Sequence, residues 1–125
     1  MMAVPASAAA PVVSGNWLTL GGKAIVQIAP CGQALCGRIV KILKPDPGKP
    51  LTDANNPDAA LRSRPILGIS ILTGFTPGSD RWKGQIYDPQ SGRTYRSELA
   101  RDGTTLKVKG CFGPFCRTQQ WSKVN

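Results

Sequence analysis

Apolar and polar side chains alternate along most of this chain, the period-two pattern of strands that bury one face. The first two runs, residues 15–20 and 23–28, flank Gly21-Gly22, and paired glycines accept the positive φ that a tight hairpin turn demands. A third run follows at 36–43. A fourth, at 65–72, is apolar almost throughout, as in a strand covered on both faces. The fifth, at 81–88, sets Trp82, Gly84 and Ile86 on one side, and the sixth, at 93–99, alternates Tyr95 with Leu99. Asp102-Gly103 is another two-residue turn, leading into runs at 104–110 and 116–124. Residues 44–65 break the pattern, because their prolines lack the N–H that a ladder needs. Within that segment Asn56 reads as a cap, Pro57 as the first helical residue and Asp58 as a first-turn acid, which predicts one short helix.

Eight consecutive strands leave exposed edges unless they stack as two sheets or close into a cylinder. Tight meander connections favour closure, and eight strands enclose an interior that side chains fill or that holds one small ligand. The expected fold is therefore all-β: an eight-stranded antiparallel up-and-down barrel over residues 14–124, with a Greek-key sandwich as the alternative. With 125 residues, 41% of them apolar, the chain has material for one domain. Its 14 glycines and 11 prolines suit many turns and short strands. No stretch approaches the ~18 apolar residues of a membrane-spanning helix.

Sixteen Lys and Arg against seven Asp and Glu leave a net charge of +9, which attracts anionic partners. The basic residues stand singly or in pairs such as Arg62/Arg64 and Lys107/Lys109, never in a run. A solvated basic surface is therefore expected, with no nucleic-acid site, and an anionic envelope component is a candidate partner. Histidine is absent, which excludes His-based triads, HExxH zinc sites and His-driven pH switches.

The opening MMAVPASAAA carries two small-x-small motifs, Ala6-Ser7-Ala8 and Ala8-Ala9-Ala10, of the kind that signal peptidase cleaves. Residues 1–10 are read as a disordered signal-peptide remnant; an Ala-rich start is the plainer reading. Export permits disulfides. Cys31-x4-Cys36 and Cys111-x4-Cys116 have equal spacing, and of the three possible pairings the two local ones are simplest, each closing a six-residue loop. A four-thiolate zinc site competes, although such sites usually space their ligands C-x2-C; free thiols are the third option. No metal or other cofactor is expected, and the protein is expected to be a periplasmic or secreted monomer.

Gly15-Asn16-Trp17 opens the first strand and Arg117 lies near the start of the last. This resembles the lipocalin pattern, in which a basic side chain from the final strand stacks over the Gly-x-Trp ring and plugs one barrel end, a contact worth about 0.5–2 kcal/mol. Lys123 competes for that role. A longer series of motifs comprises Cys31-Gly-x3-Cys36-Gly-Arg-Ile, Asp53-x-x-Asn56-Pro57-Asp58, Leu61-Arg-x-Arg-Pro65-Ile-x-Gly68, Trp82-x-Gly84-x-Ile-Tyr-Asp-Pro89-x-x-Gly92-x-Thr-Tyr95 and Gly110-Cys-x4-Cys-Arg-x-Gln119-x-Trp121. Together these resemble a family of small exported proteins of Gram-negative bacteria known as a domain of unknown function. The resemblance covers about residues 14–124 and implies a lipocalin-like barrel. Since that family has no established activity, it implies fold and compartment more than function.

The expected role is a non-enzymatic barrel that binds a small hydrophobic or amphipathic ligand, with Trp82, Tyr95, Gln119 and Trp121 as candidate contacts. The alternative is a filled barrel whose proline-rich segment and basic surface dock an envelope protein or an anionic surface. No catalytic residues are proposed. The carboxylates Asp46, Asp53, Asp58, Asp80, Asp88, Glu98 and Asp102 show no spacing that pairs two of them, and a cysteine nucleophile would lack a histidine base.

Overall fold

The computed structural model describes residues 10–124; the expected signal-peptide remnant lies outside them except for Ala10. Eight strands follow in order: β1 (Gly15–Leu18), β2 (Ala24–Cys31), β3 (Ala34–Ile42), β4 (Ser70–Pro77), β5 (Trp82–Asp88), β6 (Arg93–Asp102), β7 (Thr105–Phe112) and β8 (Phe115–Val124). Each pairs antiparallel with the next, and β1 also pairs with β8, so the sheet closes into a barrel. Closure removes both sheet edges. The up-and-down barrel expected from the alternation is the observed architecture.

Four elements differ from expectation, the first being the connection after β1, where a longer loop with a 3-10 turn at Leu20–Gly22 stands in place of a two-residue hairpin turn. Strand β4 starts at Ser70 rather than residue 65, because Pro65 bridges Thr52 and Gly68 adopts φ 95°, bending the chain before it joins the sheet. In place of a helix, residues 44–65 contain a single 3-10 turn, Ala59–Leu61. Its cap is Asp58, whose carboxylate accepts from the Ala60 amide at 3.0 Å, while Asn56 Oδ1 accepts from the Asp58 amide at 2.8 Å in an Asx turn. The cap therefore falls two residues later than the sequence pattern suggests. Finally, the cysteine segments are not loops between strands. The β2–β3 and β7–β8 ladders run through them, and Cys31–Cys36 and Cys111–Cys116 are disulfides that clip the hairpin tips.

Inward positions build the core: Val26 and Ile28 of β2, Leu99 of β6, and Leu106 and Val108 of β7 follow the period of two, while in β4 an irregularity around Gly74, at φ 66°, sets Leu72 and Phe75 three residues apart. Gly84 of β5 lets Phe75 lie on bare backbone: a Cβ there would sit 2.7 Å from the Phe75 ring and 2.7 Å from the Thr73 carbonyl.

Candidate functional site

The interior is divided along the barrel axis. One end holds the start of β1, the β2–β3, β4–β5 and β6–β7 turns and the end of β8, and it is filled. Trp17 is fully buried there and donates its indole N–H to the Val13 carbonyl at 2.8 Å. The Arg101 guanidinium and Lys123 ammonium lie 5.3 and 5.4 Å from its ring centroid. Arg101 also donates to the Val12 carbonyl at 2.8 Å, and Trp82 Nε1 to the Pro11 carbonyl at 2.8 Å. Residues 11–13 are thus strapped across this end of the barrel.

That arrangement corrects two expectations. The cation over Trp17 is not Arg117 but Lys123, its register partner, together with Arg101. Arg117 and Lys123 share the inner parity of β8, but six residues of strand, roughly 20 Å at 3.3 Å per residue, separate them along the axis. Trp82 also lies at the filled end, tied to the N-terminal segment instead of lining an open lumen. Its parity was legible; its depth was not.

The opposite end is open. A cavity of about 740 Å³ is lined by Val26, Ile39, Ile71, Ile86 and Val108, with Trp121 the deepest contribution from β8. Its polar lining includes Tyr95, Gln119 and Arg117, with Tyr87 and several charged side chains at the rim. Gln119 Oε1 accepts from the Trp121 indole N–H at 3.2 Å, which fixes both side chains. Among the described residues Arg117 makes no ion pair. Tyr95, Gln119 and Trp121 are therefore brought together, and Arg117 joins them instead of plugging the far end. Counting back by twos from Trp121 reaches both Gln119 and Arg117, so the pattern held the signal that Arg117 faces this lumen. The aliphatic lining was legible only as inward parity.

The segment between β3 and β4 forms a strap beside the mouth. Its anchor is Asp53, fully buried, whose Oδ1 accepts from the Tyr87 hydroxyl at 2.6 Å. Its Oδ2 accepts from Asn56 Nδ2 at 2.7 Å and pairs with Arg64 at 2.9 Å. Burial alone would raise the Asp53 pKa, but the hydrogen bonds from Tyr87, Asn56 and Arg64 outweigh it and hold the carboxyl below its ordinary value. Burial and the same contact push the Tyr87 hydroxyl up to about 12. Asn55 donates to the Gln90 carbonyl at 2.7 Å, and Gly92, at φ 71°, lets the Asn55 backbone approach where any Cβ would collide. At the rim, Asp46 accepts from Lys23 at 2.8 Å and from Gln90 at 2.6 Å; the Lys23 contact holds its carboxyl below the ordinary value. The Asp53-x-x-Asn56 motif holds the local half of this cluster, but not the partner Tyr87, which is 34 residues away.

The family described as "Uncharacterized protein conserved in bacteria (DUF2147)" matches residues 15–123, and the chain belongs to it. Among solved structures, the chain is similar to protein HP1028 from Helicobacter pylori, described as belonging to the lipocalin family. The TM-score is 0.77 at 22% identity, covering 91% of this chain and 84% of that one. At that identity the likeness bears on the fold, which is lipocalin-like. No curated protein matches the sequence. The two disulfides and the bacterial family are consistent with an exported protein.

Proposed function

We propose that this member of the bacterial family is a non-enzymatic, periplasmic or secreted protein that holds one small amphipathic molecule in the open half of its barrel. The observation that carries the reading is the cavity of about 740 Å³, within the roughly 300–1,000 Å³ usual for small-molecule sites. Its aliphatic walls and the Trp121 face take the apolar body of the ligand. Arg117, with no carboxylate partner among the described residues and Gln119 beside it, receives an acidic or strongly polar end. The two disulfides support an oxidising compartment. A fully filled barrel does not accord with this open half.

Titration of the native protein with dodecanoate, a lysophospholipid and a short isoprenoid alcohol, read by tryptophan emission, tests the reading. A saturable one-to-one response is expected with at least the acidic amphiphiles. Arg117→Gln weakens dodecanoate about tenfold, in line with loss of a charge-assisted contact, and leaves dodecanol unchanged. No response to any of the three overturns the assignment.

A further inference from the structure

The rim of the cavity carries large apolar side chains that line its opening and yet stay exposed to solvent. Phe112 and Phe115 are cross-strand partners at the β7–β8 tip, so both project from the same face of the hairpin. They are 60% and 79% exposed, and Leu20 and Leu51, at 55% and 54%, stand around the same opening. Single exposed apolar residues are ordinary; four large ones around one opening form a patch. The tip is braced: Cys111–Cys116 clips it one residue below the phenylalanines, and Arg96 donates to the Gly113 carbonyl at 2.7 Å. The Arg93 guanidinium lies 5.6 Å from the Phe112 centroid, and Tyr95 meets the same ring edge-on at 6.1 Å. These contacts fix the aromatic tip without covering it.

Charge at this end is positive. Lys23, Lys44, Lys49 and Arg117 line the opening against two carboxylates, Asp46 and Asp88, and Lys23 is already paired with Asp46. Asp80, Glu98 and Asp102 lie toward the filled end. Apolar tips ringed by cations match a lipid bilayer with anionic headgroups, where rings enter the acyl boundary and each Lys or Arg adds roughly fivefold to binding.

We infer that the mouth of the barrel docks on an anionic membrane surface through Phe112 and Phe115, with Lys44, Lys49 and Arg93 on the headgroups. The barrel then stands with its cavity open toward the lipid.

Co-flotation with vesicles tests this. The native protein floats with phosphatidylglycerol–phosphatidylethanolamine vesicles at about 50 mM salt, little with phosphatidylcholine, and is released at about 500 mM. Phe112→Ser with Phe115→Ser lowers flotation at least tenfold and Lys44→Glu with Lys49→Glu lowers it comparably, and Arg93→Glu, at a residue beside Phe112 but outside the cavity lining, lowers it severalfold while the tryptophan response to dodecanoate persists. That last readout separates failure of docking from failure of ligand binding in the lumen. Absence of flotation at low salt overturns the inference, as does flotation unchanged in both double variants. A concentration-dependent dimer that the Phe pair abolishes, without flotation, assigns the patch to a second copy of the chain and also overturns it.

Discussion

Asp53 shows how much a single residue decides. Its carboxylate is buried with three partners, one a guanidinium, and so joins the strap to β5. Asp53→Asn keeps the shape but leaves hydroxyl, amide and guanidinium donors facing a neutral group. It is expected to cost about 3 kcal/mol, read as a lowered denaturation midpoint. The pH dependence has a defined sign. Because folding lowers the Asp53 pKa, its stabilisation is present above the ordinary carboxylate value and lost as pH falls through the folded one. Tyr87 is raised to about 12, so its contribution holds below its ordinary value and disappears as pH rises through that figure. Thermal melts against pH are expected to show a plateau at neutral pH with falls in strong acid and strong alkali. Asp53→Asn shrinks both limbs; limbs of unchanged size in the variant would contradict the account.

At the scale of elements, alternation sufficed for the strands because each buries one face, and it failed where local chemistry overrode it. The run at 65–72 looked like a strand throughout. Pro65 and Gly68 spend its first half on a bridge to Thr52 and a bend, so β4 begins at Ser70. Pro57 and Asp58 read as a helical start, yet Asn56 closes an Asx turn that delays the cap and leaves one 3-10 turn. Inside the sheet, Gly84→Ala forces a methyl onto Phe75 and the Thr73 carbonyl and is expected to destabilise by about 1–3 kcal/mol in denaturant titration. The same substitution at Gly103, where a Cβ meets nothing within 4 Å, carries only the strain of φ 62° and is expected to cost less. Removing the Cys111–Cys116 disulfide by paired serines opens a six-residue loop and is expected to cost about 2 kcal/mol, with the tip around Phe112 exchanging amide hydrogens faster.

For the molecule as a whole, the sequence showed which side chains face inward but not how deep they lie. Parity placed Trp82, Trp121, Gln119 and Arg117 inside. Strand direction in the meander decides the end: β5 starts where β1 does, so Trp82 joins the filled end, and β8 starts at the opposite one, so Arg117 reaches the open end. Arg101 was missed: it shares the inner parity of Leu99, but its approach to Trp17 crosses from β6 to β1. The resulting division, one half packed around Trp17 and the other left as a lined cavity, is the claim on which the function rests. The most direct test is a methyl and indole NMR titration of the labelled protein with dodecanoate. The account predicts saturable shifts confined to methyls that line the cavity, Val26, Ile39, Ile71, Ile86 and Val108 among them, and to the Trp121 indole, with the Trp17 indole and Leu106 methyls unmoved. Shifts spread over the outer face of the barrel, or none at all, would contradict it.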